Sequence, residues 1–120
     1  MHDDLYREEI LDHYHHPRNA GKLDHCSHHA LKDNPLCGDK IEIFLQVEVG
    51  TIRKINFVAT GCAISVASAS MLSEMVTNWK IERTKKLAAK DILEMLKIEL
   101  TPTRLKCALL SLETLQRALP

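Results

Sequence analysis

Three of the four cysteines lie in short contexts that suit metal or sulfur chemistry. Cys37 lies in a Pro-Leu-Cys-Gly-Asp segment, Cys62 follows a glycine at a predicted helix start, and Cys107 lies in a late helix. Asp39 follows Cys37 by two positions. Thiolates match zinc or iron–sulfur clusters, and a carboxylate can complete a fourth ligand position. The residue types therefore predict a metal or sulfur site.

A predicted β-hairpin brings the first of these residues together. Apolar residues alternate from Ile41 to Val49 and again from Ile52 to Ala59, with a Gly-Thr turn between them. This pattern indicates two strands with one apolar and one wet face. A hairpin runs out and back, so the residues before its first strand and after its second lie side by side. We therefore expect Cys37, Asp39 and Cys62 to share one end of a sheet.

Helical periodicity predicts most of the other elements. A weaker alternation indicates an uncertain edge strand within residues 23–33. A Thr-Pro pair at 101–102 is a cap and first-turn signal for the last helix. The predicted helices cover about 4–15, ended by Pro17, then 63–78, 84–97 and a segment that begins near 101.

The two later cysteines differ in their predicted helical positions. Cys62 lies where free backbone N–H groups and the helix dipole favour a thiolate. Cys107 points about 200° away from the predicted core stripe of the last helix. We therefore expect the Cys107 thiol on an accessible face. That stripe comprises four leucines and a glutamine, Leu105, Leu109, Leu112, Gln116 and Leu119.

Composition and the first residues of the chain indicate which partners and which cellular compartment to expect. Lys plus Arg and Asp plus Glu both number 16, and aromatics make up 4% of the chain, so we expect no nucleic-acid partner. No apolar run approaches the roughly 20 residues that span a bilayer, so we expect no membrane partner. The acidic start of the chain is unlike a signal peptide. We expect one domain, residues 1–120, in the cytoplasm, with free thiols rather than disulfides.

Histidines group in two places. Cys26 is surrounded by histidines at 25, 28 and 29, which superficially resembles a second metal cluster. We interpret this segment as a solvated edge strand and Cys26 as incidental. The histidines at 13, 15 and 16 fall at a helix end, where we expect surface positions.

At its cysteine contexts the chain closely resembles the NifU-like family of U-type iron–sulfur cluster assembly scaffolds, which includes the ISC and SUF system members. The Cys-Gly-Asp, Gly-Cys and Lys-Cys segments follow in family order, and the N-terminal helix and its Pro-Arg-Asn exit also match. The resemblance implies an α+β fold, a three-stranded antiparallel sheet packed against helices, with the site at one tip. It implies a ligand set of Cys37, Asp39, Cys62 and Cys107.

Two features depart from the ISC pattern. Lys106 stands where ISC members carry a histidine, and keeping a lysine amine neutral at pH 7 costs about 4.6 kcal/mol. We therefore interpret Lys106 as a cation that stabilises thiolate or cluster charge, as in SUF members. The SUF insertion between the second and third site cysteines is missing, so the subtype is mixed. Residues 100–104 keep only part of the chaperone-recognition pattern of ISC members.

The resemblance implies a scaffold for a transient [2Fe–2S] cluster, built from iron and from persulfide sulfur supplied by a cysteine desulfurase, then passed to apo iron–sulfur proteins. Cys107 is the candidate persulfide acceptor. The alternative is a zinc-dependent sulfur acceptor, a sulfurtransferase that holds Zn²⁺ with the same four residues and stimulates the desulfurase. A structural zinc module is a third interpretation. Whether the protein acts as a carrier or an enzyme, and whether two chains form a homodimer, stays open at this point.

Overall fold

A three-stranded sheet and five helices form the fold in this computed structural model, which describes residues 2–35 and 37–120. The sheet order is β1-β2-β3, all antiparallel. This confirms the predicted α+β class. None of the described helices has the length and apolar character needed to cross a membrane. The elements are α1 (His2–His15), β1 (His28–Asn34), β2 (Asp39–Glu48), β3 (Thr51–Thr60), α2 (Ala63–Val76), α3 (Ile81–Lys85), α4 (Ala89–Leu96) and α5 (Pro102–Ala118).

The β2–β3 hairpin confirms the predicted strands, with its turn one residue earlier than expected. Val49 and Gly50 both have positive φ and form the turn, so Val49 is fully exposed instead of continuing the apolar face. The buried face carries alternate apolar residues that pack against α2 and α5, among them Ile41, Ile43 and Leu45. Asp39 opens β2, and Cys62 follows the end of β3. The hairpin therefore places both at one end of the sheet.

Residues 84–97 form two helical segments instead of the predicted single helix. Ala88 is extended, and the Asp91 carboxylate accepts the Ala88 N–H at 2.8 Å, which caps α4 at a new start. Leu87 lies in the break and is buried. The helix is therefore interrupted at Leu87 and Ala88, where the new cap and the burial of Leu87 stabilise the break. The uncertain edge strand of residues 23–33 is present but confined to His28–Asn34.

The predicted core stripe of α5 is correct only at Leu112, which is buried. Gln116 is exposed and the other leucines of the stripe are half-buried, while Cys107, Leu110 and Leu115 are buried instead. The reason is that α5 packs against α2, β1, β2 and α4, so several of its sides are covered. In its contact with α2, the Ser65 hydroxyl lies 3.3 Å from the Cys107 carbonyl oxygen.

His13 is buried at 5% exposure, contrary to the expected surface position, whereas His15 and His16 are exposed. Its Nδ1 lies 2.7 Å from Ser70 Oγ, and the same hydroxyl oxygen accepts the Arg18 N–H at 2.8 Å. These contacts join α1 and its exit loop to α2. Buried polar groups need such partners, because an unsatisfied one costs about 1–3 kcal/mol.

Stability is expected to fall in mild acid because of His13. Burial lowers the pKa of His13, and the nearby Arg18 cation acts in the same direction. The unfolded chain therefore binds the proton first, and stability is lost as pH falls below about 6.5. Urea midpoints measured between about pH 7.5 and about pH 5.5 test this. His13→Gln should flatten the dependence, and His15→Gln should keep it; an unchanged slope in His13→Gln would contradict the prediction.

Candidate metal and sulfur site

Four separate elements bring the predicted ligands together. Cys37 lies in the turn after β1, Asp39 opens β2, Cys62 is the N-cap of α2, and Cys107 lies in α5. The ligand atoms of Cys37, Asp39 and Cys107 all lie within 4.8 Å of one another. Cys62 joins this group through its Sγ, 3.6 Å from Asp39 Oδ2. Within the described residues, Cys26 belongs to no such group.

Asp39 is the centre of the site and is 2% exposed. Its Oδ1 accepts the Cys62 N–H at 3.1 Å, and its Oδ2 accepts the Ser65 hydroxyl in a short hydrogen bond. Burial by itself would raise the pKa of Asp39, but hydrogen bonds, first from Ser65 and then from Cys107 and Cys37, hold this pKa below its usual range. The carboxylate is therefore ionised at neutral pH and orients the surrounding thiols.

Ser65 was missed in the sequence reasoning. It lies on the first turn of α2, three residues after Cys62, and is fully buried. Besides Asp39, its hydroxyl lies 3.3 Å from the Cys107 carbonyl oxygen and 3.6 Å from Cys62 Sγ. The sequence shows that this serine lies on the first turn of a predicted helix, close to Cys62. Only the fold shows that its hydroxyl faces Asp39.

The exposures of Cys37 and Cys107 differ sharply. Their Sγ atoms are 3.6 Å apart, yet Cys37 is exposed and Cys107 is 2% exposed. Burial raises the pKa of the Cys107 thiol, and its hydrogen bond to Asp39 acts in the same direction. The accessible face predicted for Cys107 is therefore wrong, and without a bound metal its thiol keeps its proton at neutral pH.

Gly61 allows the close approach of Asp39 to Cys62. Its φ is +150°, and a Cβ at this position would lie 2.2 Å from Asp39 Oδ1. No side chain larger than hydrogen fits there without moving the carboxylate. The glycine before Cys62 therefore shapes the site, beyond its predicted place at a helix start.

Gly61→Ala is expected to weaken Zn²⁺ binding, because the added methyl group must displace the Asp39 carboxylate. The strained backbone should also cost about 1–3 kcal/mol of unfolding free energy. Competition with a chelating dye and urea unfolding measure the two effects. Gly21→Ala is the matched control: φ at Gly21 is +111°, but no atom lies within 4 Å of the added Cβ. Equal zinc affinity in the two variants would contradict this role of Gly61.

Two pairs of donor atoms have the separation of ligands that share one tetrahedral ion. Two thiolates on one zinc lie about 3.8 Å apart, and a thiolate and a carboxylate oxygen about 3.6 Å apart. The Cys37–Cys107 and Cys62–Asp39 pairs are both separated by 3.6 Å. Each of these two pairs therefore has a separation that suits two ligands of one Zn²⁺ or iron ion, and Cys62 lies outside the group of three whose ligand atoms are all mutually within 4.8 Å. A two-iron cluster needs the same ligands spread over two metal ions.

Lys106 lies beside the exposed thiol without joining the ligand group. It lines a cavity of about 130 Å³ together with Cys37, Asn34, Pro102 and Thr103. The Lys106 side chain is exposed. The charge-stabilising role expected of Lys106 from the sequence stays a prediction.

Comparison with known proteins gives consistent matches. Residues 5–120 match the family model described as NifU-like N terminal domain. The iron-sulfur cluster assembly scaffold protein IscU 1 of Archaeoglobus fulgidus is 32% identical over 115 residues, which span 96% of this chain and 74% of the relative. The zinc-dependent sulfurtransferase SufU of Bacillus subtilis is 32% identical over 132 residues, 96% of this chain and 89% of the relative.

Solved structures share the fold. A crystal structure from Fervidobacterium islandicum, described as a candidate iron–sulfur cluster assembly scaffold for the SUF system, has a TM-score of 0.84 at 24% identity. The match covers 94% of this chain and 95% of that chain. The N-terminal part of a NifU-like protein from Brucella abortus has a TM-score of 0.76 at 18% identity, over 97% of this chain and 92% of that chain. At these identities the likeness concerns the fold alone.

Proposed function

The chain belongs to the family of NifU-like N-terminal domains, and from this premise we propose that it is a scaffold for a transient [2Fe–2S] cluster. Iron and sulfide are the cargo, the sulfur comes as persulfide from a cysteine desulfurase, and apo iron–sulfur proteins receive the cluster. The observation that carries the proposal is the meeting of three thiols and one ionised carboxylate, contributed by Cys37, Asp39, Cys62 and Cys107.

The difference in exposure suggests an order of sulfur transfer. The exposed Cys37 thiolate attacks the outer sulfur of the desulfurase persulfide, which forms a Cys37 persulfide and releases the desulfurase thiolate. Lys106 stabilises the anion in the shared cavity. The proposed acceptor Cys107 then receives the outer sulfur in a second exchange, since its Sγ is 3.6 Å from that of Cys37. The Cys37 thiolate is released again in that step and takes up the proton that the Cys107 thiol loses.

The second candidate function is a zinc-dependent sulfur acceptor. The 3.6 Å separations of the Cys37–Cys107 and Cys62–Asp39 pairs favour it, because each suits two ligands of one ion. Zn²⁺ held by the four residues would keep the thiols deprotonated. The Bacillus subtilis relative is a zinc-dependent sulfurtransferase. In this role the protein would act as a sulfurtransferase and carry no cluster. A purely structural zinc module is a third candidate, and full folding without metal would contradict it.

Anaerobic purification followed by metal, acid-labile sulfide and visible absorption analysis tests the proposal. Equal amounts of iron and sulfide with charge-transfer bands support the scaffold. About one zinc per chain without sulfide argues against a resident cluster. Stimulation of a cysteine desulfurase by the zinc form would then select the sulfur acceptor over the structural module.

A further inference from the structure

A second feature of the molecule is an acid-lined groove formed by α1, α2 and α4. It encloses about 650 Å³. Apolar side chains, including Met75, Trp79 and Met95, line it. Carboxylates of Glu9, Glu74 and Glu94 line it as well. We call this surface the α1–α4 groove.

The charge of the groove is locally negative although the whole chain has a formal net charge of zero. Among the ion pairs of the described residues, none involves Glu9 or Glu94, and both are exposed. Glu74 lies 3.6 Å from His13 Nε2, but about half of its side chain is exposed. Burial lowers the pKa of His13 and so favours its neutral form. Asp91 and Lys97 line the groove as well, so its acidic side chains outnumber the basic one four to one. The carboxylates of Glu9 and Glu94 are therefore available to an outside cation.

The apolar side chains of the groove suit a partner whose contacting face is large and apolar. Methionine side chains are flexible and polarisable, and they adapt to different apolar partners. The Arg83 guanidinium lies 3.6 Å from the centroid of the Trp79 ring and covers one face of it. An apolar floor with an acidic rim matches an amphipathic helix whose polar face is basic.

We propose that the α1–α4 groove binds a cationic amphipathic helix of a partner protein. The apolar face of that helix packs on Met75, Trp79 and Met95, and its Lys or Arg side chains lie against Glu9, Glu74 and Glu94. Met75 follows Cys62 along α2 by about 20 Å of helix rise. The partner can therefore dock while the cysteine site remains open, and this inference does not depend on the proposed function.

The probe for this surface is a synthetic helical peptide of about 18 residues, built from leucine and lysine with one apolar face and lacking tryptophan. Trp79 is the only tryptophan of the chain, so its fluorescence in the full-length protein reports binding in the groove. We expect saturable binding with a change in Trp79 emission. A peptide of the same composition with a scrambled order, which lacks an apolar face, should bind weakly.

Matched charge reversals locate the binding. Glu9→Lys combined with Glu94→Lys should weaken binding about tenfold. Glu48→Lys combined with Glu113→Lys changes the net charge equally outside the groove and should leave affinity unchanged. Circular dichroism checks that each variant is folded. Equal weakening by both pairs, equal binding of the scrambled peptide, or binding without a Trp79 response would overturn the proposal.

Discussion

Cys37→Ser is expected to abolish persulfide formation on this protein. Cys37 is exposed, whereas Cys107 is buried behind it, with 3.6 Å between their Sγ atoms. A desulfurase persulfide can therefore reach Cys37 directly. Sulfur exchange needs a thiolate and access, and in the metal-free site Cys107 lacks both. The measurement is single-turnover incubation with a cysteine desulfurase, followed by alkylation and mass spectrometry of each cysteine.

The comparison variant is Cys107→Ser. It separates the transfer of sulfur from the desulfurase to Cys37 from the later transfer to Cys107. It should retain persulfide on Cys37, because the exposed thiol is unchanged, while the cluster or zinc yield falls from loss of one ligand. Labelling of Cys107 at the wild-type rate in Cys37→Ser would show direct delivery to the buried thiol. That result would exclude the proposed order of transfer and would require the site to open before exchange.

The hairpin is the part of the site that sequence predicts best. Alternation in β2 and β3 determines which residues finish side by side, so the pairing of Asp39 with Cys62 follows from local pattern. The hydrogen bond from the Cys62 N–H to Asp39 Oδ1 is the structural outcome of that pairing.

The burial of Cys107 could not be predicted from the pattern of one helix. A leucine stripe indicates one buried face, but α5 contacts both a slim helix and the sheet. Cys107 lies at the contact with α2, where the Ser65 hydroxyl is 3.3 Å from its carbonyl oxygen. Similarly, the sequence predicts a surface position for His13, but in the fold His13 is buried against α2, where Ser70 is its hydrogen-bond partner. Both errors arise from contacts between elements far apart in sequence.

Ser65 and Gly61 show a different limit of sequence reasoning. Each lies within three residues of Cys62, and each has an ordinary local explanation at a helix start. Their role depends on the position of the Asp39 carboxylate, which comes from another strand. The Ser65 hydroxyl binds that carboxylate, and the missing side chain of Gly61 leaves room for it.

Asp39→Ala is expected to slow loss of an assembled cluster by about tenfold, which corresponds to about 1.4 kcal/mol. In the proposed scaffold a hard carboxylate is a weaker match to an iron–sulfur cluster than a thiolate, so it makes the cargo easier to release. The variant also loses the acceptor of the Ser65 hydroxyl, which should lower the unfolding free energy by about 1–3 kcal/mol. Decay of visible absorbance in the presence of a chelator measures cluster loss, and far-ultraviolet circular dichroism follows the fold.

Two further variants separate ligand chemistry from packing around Asp39. Asp39→Asn keeps the side-chain volume and removes the negative charge, so cluster loss should slow as in Asp39→Ala if the carboxylate promotes release. Ser65→Ala removes a hydrogen-bond donor and keeps the carboxylate, so it should retain rapid loss. Faster loss in a folded Asp39→Ala protein would mean that Asp39 holds the cluster. The short lifetime would then have to come from the exposure of Cys37, the most accessible of the proposed ligands.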